Sequence, residues 1–214
     1  MMASEPTLDG RRPVVAVFAR TPLPGRVKTR LARDLGDDGA LATHLALLRD
    51  LLGALAGQPD FDVELWLSDG TTPEVDALGQ QYRVAVRVQA GADLGQRMCR
   101  TIDTLLAANR LPLVVGSDVL GLDAAQIRKA FNALREADLV LAPVDDGGYG
   151  LIGMSRLHAA VFDAIPWGSD QVMAETRRRA RRLGLRCFEL EGCWDLDTIE
   201  DYLRWNAHRG GNPA

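Results

Sequence analysis

Asp118 follows an apolar stretch, residues 111–115, whose composition is typical of a buried strand. The helix predicted to follow already has an N-terminal cap candidate in Asp123, so Asp118 is left over. A carboxylate at a strand end suits Mg²⁺ or Mn²⁺, because these ions prefer oxygen ligands and commonly bridge substrate phosphates. The alternative is that Asp118 caps its own turn.

One Asp rarely holds a metal ion alone, so a second acidic residue should lie nearby. The segment "CWDLDTIED" supplies Asp195 and Asp197. Asp197, with Glu200 three residues later, also fits a capping box at the start of the last helix. Both interpretations of Asp197 stay open at this point.

The loop at 20–30, "RTPLPGRVKTR", has four basic residues within eleven positions. Cations and free backbone amides ahead of a helix suit phosphate binding, with Gly25 allowing close approach. The loop is not a Walker A motif, because Val27 precedes Lys28 and Thr29. No GxGxxG motif occurs either, so a nicotinamide or flavin enzyme is unsupported. The alternative is a solvated basic loop with turn prolines.

A second polar loop, 89–97, joins a strand to a helix through Gly91 and Gly95. It offers Gln89, Asp93 and Arg97 to a ligand. Taken alone, Asp93 is more simply explained as the N-terminal cap of the helix.

A third loop, 145–149, contains two adjacent acids followed by two glycines and Tyr149. Asp-Gly is a common hairpin turn, which is the structural explanation. Glycines also let a ligand approach the backbone closely, so the loop suits a binding site as well.

Strand and helix patterns alternate along the chain and predict an α/β fold with a mostly parallel sheet covered on both faces. Strands are predicted at 12–20, 61–69, 83–90, 138–144 and 185–192, and in the apolar stretch that begins at residue 111. Helices are predicted at 40–57, 73–82, 93–109, 123–137, 170–184 and 197–208. The prediction is one domain, 13–208, with a disordered lead at 1–12 and a frayed tail at 209–214. Ligands bind such sheets beyond the carboxyl ends of the strands, where the polar loops fall.

Composition excludes several classes of protein. The chain has 214 residues and a net charge of −4, which argues against a nucleic-acid binder. It has no signal-peptide pattern and no apolar run long enough to span a membrane. Its three cysteines and three histidines form no zinc pattern, and reduced thiols suggest a cytoplasmic protein. The arginines of 177–182 fan around a helix and are interpreted as a solvated helix end.

Six segments, in this order, resemble a family of small bacterial GT-A-fold transferases. They are "VFARTPLPGRVKTRLA", "AGADLGQRM", "GSDVLGL", "DDGGYGLIGM", "IPWGSDQVMAET" and "WDLDTIEDYL". The family comprises nucleotide-diphospho-sugar transferases, also described as arsenosugar-type glycosyltransferases associated with radical-SAM genes. The resemblance covers residues 13 to 205.

The resemblance implies a nucleotide held by the loops at 20–30 and 89–97. The residues concerned are Arg20, Gly25, Lys28, Arg30, Gln89, Gly91, Asp93, Gly95 and Arg97. It also implies a Mg²⁺ or Mn²⁺ ion on Asp118 and Asp197.

The same resemblance implies that a further group faces the sugar or the acceptor. Its members are Asp145, Asp146, Gly147, Gly148, Tyr149, Trp167 and Ser169. The chain departs from the family pattern at three places. Val119 and Leu120 stand where Cys-Pro is usual, Gly150 where a second aromatic is usual, and Ile199 where Pro is usual.

The predicted function is metal-dependent transfer of a glycosyl group from a nucleotide sugar to an unknown small-molecule acceptor. Arg20, Lys28 and Arg30 would add positive charge at the diphosphate, and Asp146 would orient or deprotonate the acceptor. One alternative is a nucleotidyltransferase that uses an NTP and releases pyrophosphate. The other is a nucleotide-binding protein without catalysis.

Overall fold

A computed structural model describes residues 10–210 of the chain. The strands are β1 (Arg12–Ala19), β2 (Asp62–Leu67), β3 (Ala85–Val88), β4 (Arg110–Gly116), β5 (Val119–Leu120), β6 (Leu139–Pro143), β7 (Tyr149–Met154), β8 (Cys187–Glu189) and β9 (Trp194–Asp195). The helices are α1 (Ala32–Leu55), α2 (Pro73–Tyr82), α3 (Leu94–Ala107), α4 (Ala124–Ala133), α5 (Val172–Arg182) and α6 (Ile199–Gly210), with a 3-10 turn at Ala159–Val161.

Seven strands form one sheet in the order β3-β2-β1-β4-β7-β6-β8. β1 is parallel to β2 and β4, and β6 is parallel to β8. Alternate residues of β1 enter two separate cores: Val15 and Val17 pack with α1, α2 and α4, while Val14 and Ala16 pack with α3 and α5. The sheet is therefore covered on both faces, and the predicted α/β fold is confirmed.

One strand runs against the others. β7 is antiparallel to both β4 and β6, because only the short turn at 144–148 connects it to β6 and no helix crosses back. This direction places the start of β7, at Tyr149, on the same edge as the carboxyl ends of β1 and β4. The 145–149 loop therefore reaches the edge where ligands bind in such sheets.

The ends of the chain lie partly outside the described residues. The predicted lead (1–12) is described only from Gly10, and the predicted tail (209–214) only as far as Gly210. Helix α1 is longer than predicted: it begins at Ala32 and bends at Gly36, whose φ is 70°. None of the described helices is long and apolar enough to cross a membrane. The cytoplasmic location stays a prediction.

A second, two-stranded sheet joins two distant parts of the chain. Val119 and Leu120 of β5 pair with Asp195 and Trp194 of β9. The amide of Leu196 also donates to the carbonyl of Asp118, at 3.2 Å. This pairing brings the segment 195–197 next to Asp118, although almost eighty positions separate them.

Candidate active site

A cleft of about 720 Å³ opens at the carboxyl ends of the strands. Its walls come from the loops after β1, β2, β3 and β4, from the β6–β7 turn, and from segments 167–172 and 195–197. A cavity of this size accommodates a nucleotide-sized ligand. The lining residues predicted from sequence are Arg20, Gln89, Asp93, Arg97, Asp118, Asp146, Gly148, Tyr149, Trp167, Ser169 and Asp197.

The two predicted metal-binding acids flank the same lysine. The ammonium of Lys28 donates to Asp118 Oδ2 at 2.8 Å and to Asp197 Oδ1 at 3.1 Å, and also to the carbonyl of Leu196. The Lys28 side chain is only 3% exposed, whereas that of Asp118 is 40% exposed. Arg30, on the surface, lies 3.5 Å from the other carboxylate oxygen of Asp197.

These contacts determine the ionisation of Lys28 and Asp118. Burial alone would lower the pKa of Lys28 and raise the pKa of Asp118. The charges outweigh burial, so the two acids raise the pKa of Lys28 and Lys28 lowers the pKa of Asp118. Burial, together with Asp146, Asp197 and Asp118, raises the pKa of Asp195 to about 6. Burial is the largest cause of this shift, and the three nearby carboxylates add to it.

The capping role considered for Asp197 belongs to its neighbours. Asp201 accepts hydrogen bonds from the amides of Asp197 at 3.0 Å and Thr198 at 2.8 Å. Thr198 Oγ1 in turn accepts from the amide of Asp201 at 3.3 Å. The capping box of α6 is therefore Thr198–Asp201, and the interpretation of Asp197 with Glu200 as this box is wrong. Asp197 is left to contact Lys28.

Two other predicted caps are confirmed. Asp123 accepts from the amide of Gln126 at 2.9 Å at the start of α4, and Asp93 accepts from that of Gln96 at 2.7 Å at the start of α3. Asp93 also lines the cleft. Because Asp123 supplies the cap of α4, Asp118 is free to pair with Lys28.

Two guanidinium groups also line the cleft. Arg20 follows β1, and Arg97, in the first turn of α3, is braced by a 3.1 Å hydrogen bond to the carbonyl of Gly91. Within the described part of the chain, neither has a carboxylate within the 4 Å of an ion pair. Gln89 donates to the carbonyls of Ala19 and Trp66, at 3.3 and 2.8 Å. These hydrogen bonds tie the loop after β3 to β1 and β2.

His44 on α1 supports the backbone at Arg20. Its side chain is buried, and its Nε2 lies 3.0 Å from the carbonyl of Arg20. The contact positions the backbone of Arg20 at the cleft edge. His44 is thus structural, as its isolation in the sequence suggests.

His44 should make stability depend on pH. Burial lowers its pKa, as do the charges of Lys28 and Arg20, while the Arg20 carbonyl and Asp118 oppose the shift. The folded protein therefore binds a proton at His44 more weakly than the unfolded chain does. We expect the free energy of unfolding to fall as the pH drops below the ordinary value of 6.5, by at most about 1.4 kcal/mol per pH unit.

Urea unfolding of wild type and His44→Gln at several values of pH measures this effect. The wild type should lose more stability than the variant at acidic pH. Asp195, whose pKa shifts in the opposite direction, is present in both proteins and cancels in the difference. The same pH dependence in both proteins would contradict the assignment.

The acidic turn between β6 and β7 is both a hairpin and a cleft wall. Asp146 Oδ1 accepts from the amide of Gly148 at 2.7 Å, so one carboxylate oxygen holds the turn. Gly147 has a φ of 85°, and its carbonyl accepts from the amide of Met173 at 2.8 Å. A Cβ at Gly147 would lie 2.7 Å from the Cα of Asp170. The turn is thereby docked onto the start of α5, with Asp146 facing the cleft.

An aromatic pair forms one end of the cleft. Trp167 lies directly on Gly95, where a Cβ would be 2.6 Å from the indole Nε1, and it meets Tyr149 edge to face with ring centroids 6.4 Å apart. The Tyr149 hydroxyl is buried near Thr176, and burial raises its pKa. Tyr149 can therefore contact a ligand through its ring but not through its hydroxyl.

Two of the departures from the family pattern contact each other. Val119, directly after Asp118, packs over Gly150, directly after Tyr149, and both line the cleft. A Cβ at Gly150 would lie 2.6 Å from Val119 Cγ1. The valine thus fills the space that a larger residue at 150 would need.

Comparison with known proteins agrees with this architecture. The sequence model of a family described as "Uncharacterized protein conserved in bacteria (DUF2064)" matches residues 51–169, just over half of the chain. The chain belongs to the DUF2064 family. No curated protein matches it.

Solved structures relate this DUF2064 chain to a known fold. A protein from Desulfovibrio desulfuricans G20, provisionally named a nucleotide-diphospho-sugar transferase, is 28% identical, with a TM-score of 0.84 over 95% of this chain and 90% of that chain. The predicted resemblance to GT-A-fold nucleotide-diphospho-sugar transferases is confirmed, and with it the class of enzyme, a transferase.

More distant structures share the fold alone. A cytidylyltransferase from Leptospira borgpetersenii serovar Hardjo-bovis is 13% identical, with a TM-score of 0.60 over 95% of this chain and 89% of that chain. Glucosyl-3-phosphoglycerate synthase from Mycobacterium tuberculosis, in complex with Mg²⁺ and UDP, is 10% identical, with a TM-score of 0.56 over 91% of this chain and 75% of that chain.

The carboxylates of this DUF2064 protein can hold a divalent cation only if a bound ligand supplies further oxygen atoms. Among residues 10–210, no group of three or more His, Cys, Asp or Glu side chains is arranged to hold a metal ion. Asp118 and Asp197 supply two carboxylates, and Mg²⁺ commonly uses one or two, with water and substrate phosphates completing its shell. The carboxylates of Asp146, Asp197 and Asp118, which add to burial in raising the pKa of Asp195, would also attract a cation.

Not every residue predicted from sequence reaches the cleft. Those placed behind or beside its walls are Gly25, Lys28, Arg30, Gly91, Gly95, Asp145 and Gly147. Two lining residues that the sequence analysis omitted, Ser68 and Asp69, directly follow β2. Their position at a strand end was the available signal, the same one that identified the other loops.

Proposed function

We propose that this protein transfers a glycosyl group from a nucleotide sugar to a small-molecule acceptor in a metal-dependent reaction. The observation that carries the proposal is that one cleft is lined both by guanidinium groups and by carboxylates. Arg20 and Arg97 line it without carboxylate partners among the described residues, and Asp118, Asp146 and Asp197 line it as well. The 28% identity to the D. desulfuricans protein supports the same class of reaction.

Arg20 and Arg97 suit the diphosphate of the donor. Guanidinium groups bind phosphate oxygens through pairs of parallel hydrogen bonds, and Arg20 and Arg97 are free to do so. Asp118 and Asp197 would hold a Mg²⁺ or Mn²⁺ ion, which when bound would neutralise the leaving diphosphate. Gln89, Gly91, Asp93 and Gly95 shape the nucleotide side through the β3–α3 loop.

Three further lining residues suit the sugar and acceptor. Asp146 uses one carboxylate oxygen to hold its turn, which leaves the second to orient or deprotonate an acceptor hydroxyl. Trp167 presents an indole face, a surface on which sugars commonly stack, and the Tyr149 ring supports it. Ser169 lies on the same wall.

The proposal is tested by a panel of nucleotide sugars and nucleoside triphosphates with the full chain, with and without Mn²⁺. A nucleotide sugar that fits should raise the melting temperature by about 5–10 °C at a hundredfold excess over its Kd, and more with Mn²⁺ than without. Product analysis with the best donor should then show nucleoside diphosphate. Pyrophosphate formed from an NTP and a sugar phosphate would contradict glycosyl transfer and identify a nucleotidyltransferase instead.

A further inference from the structure

The ammonium of Lys28 is fully occupied by protein acceptors. A lysine has three N–H donors, and the three acceptors here are Asp118 Oδ2, Asp197 Oδ1 and the carbonyl of Leu196. Its side chain is 3% exposed and does not line the cleft. No donor remains for a phosphate, which separates Lys28 from Arg20 and Arg97.

The backbone around Lys28 holds it in this inward position. The flanking side chains Val27 and Leu31 are 1% and 0% exposed, so they anchor the loop in the protein interior. Lys28 itself has a φ of 47°, which is uncommon for a residue with a side chain and points to a constrained turn. Moving the ammonium to the cleft would require breaking its three hydrogen bonds.

We infer that Lys28 is a positioning residue: its ammonium is the built-in counter-ion of Asp118 and Asp197, and it competes electrostatically with a divalent cation for these two acids. The inference rests on the metal role proposed for Asp118 and Asp197. Lys28 takes one oxygen from each carboxylate and leaves Asp118 Oδ1 for an ion, together with Asp197 Oδ2, whose other contact is the exposed Arg30 at 3.5 Å. This positioning role replaces the phosphate-binding role that the sequence predicts for Lys28.

Charge determines the consequence for metal binding. A positive charge about 3 Å from both acids weakens their attraction for a second cation. The free protein should therefore bind metal weakly. A diphosphate in the cleft would add the negative charge and the oxygen ligands that the two carboxylates lack.

Mn²⁺ titration of the full chain without nucleotide, followed by the electron paramagnetic resonance signal of free Mn²⁺, tests this inference. Lys28→Met should bind Mn²⁺ at least about tenfold more tightly than wild type, because the competing charge is gone. Arg26→Met is the matched control: it removes one positive charge from an exposed position of the same loop, and its Mn²⁺ affinity should stay within about twofold of wild type.

A second measurement follows the melting temperature in EDTA and in saturating Mn²⁺. Lys28→Met should lose several degrees in EDTA, where the two carboxylates lack a counter-ion, and Mn²⁺ should stabilise it more than it stabilises wild type. Should Lys28→Met fail to fold, Lys28→Gln keeps amide donors without the charge, and the same tighter Mn²⁺ binding is expected.

Unchanged or weaker Mn²⁺ binding in the lysine variants would overturn the inference, as would the absence of Mn²⁺ binding to wild type and variants alike. Loss of nucleotide affinity in EDTA, with unchanged Mn²⁺ affinity, would overturn it in favour of a phosphate contact. None of these readouts involves turnover. Release of nucleoside diphosphate by wild type would therefore leave the proposed function standing when the inference fails.

Discussion

Asp118→Asn is expected to lower turnover with the best nucleotide sugar roughly a thousandfold, which corresponds to about 4 kcal/mol of transition-state stabilisation. The substitution removes one of two carboxylates proposed to hold the metal and keeps the size of the side chain. It also takes away one of the two acids that balance the buried Lys28. Steady-state kinetics across a range of Mn²⁺ concentrations measures the loss.

Asp145→Asn is the matched control, because this acid, which precedes Asp146 in the chain, is exposed and does not line the cleft. It should leave turnover within about twofold of wild type. The stability of Asp118→Asn should fall by only about 1–2 kcal/mol, since Asp118 is 40% exposed and Lys28 keeps Asp197. A large loss of stability accompanying the loss of turnover would mean that Asp118 acts mainly through the fold.

Gly147→Ala is expected to lower the free energy of unfolding by about 3 kcal/mol or more and to disrupt the acidic turn. A methyl group would meet the backbone of Asp170, at 2.7 Å from its Cα, and the φ of 85° adds strain for any residue with a side chain. The turn must then move away from the start of α5 and carry Asp146 with it. Urea unfolding and the Kd of the donor measure the two effects.

Gly184→Ala is the control that distinguishes backbone strain from a steric clash. Gly184 also has a positive φ, 68°, but, its chain neighbours aside, no atom of residues 10–210 lies within 4 Å of the place where its Cβ would stand. It should cost only about 1–2 kcal/mol and leave donor binding unchanged. Equal losses in the two variants would show that the contact between Gly147 and Asp170 contributes nothing to stability.

Much of the fold follows from local patterns. The apolar spacing of 40–57 and 93–109 predicts helices because each buries one side against a sheet, and α1 and α3 do so. The antiparallel direction of β7 is harder to predict, since an Asp-Gly pair suits both a hairpin and a ligand loop. The absence of a helix between 144 and 149 was the signal, because a parallel connection needs a crossover.

The role of a site residue could be predicted from the sequence where only one role fitted its position. Asp123 fits a cap, so Asp118 was free for another role. The segment 197–201 contains two overlapping capping patterns, and sequence alone does not choose between them. The backbone placed Thr198 at the cap and turned Asp197 toward Lys28. The lysine contact itself joins positions far apart in the chain, and no local pattern reports it.

Val119 and Gly150 show how such distant positions constrain each other through packing. Because the side chain of Val119 occupies the space above Gly150, an aromatic residue placed at 150 alone would have no room. These two departures from the family pattern are therefore coupled. A larger residue at 150 requires a smaller one at 119, so the two positions act as one determinant of the shape of the cleft beside Asp118.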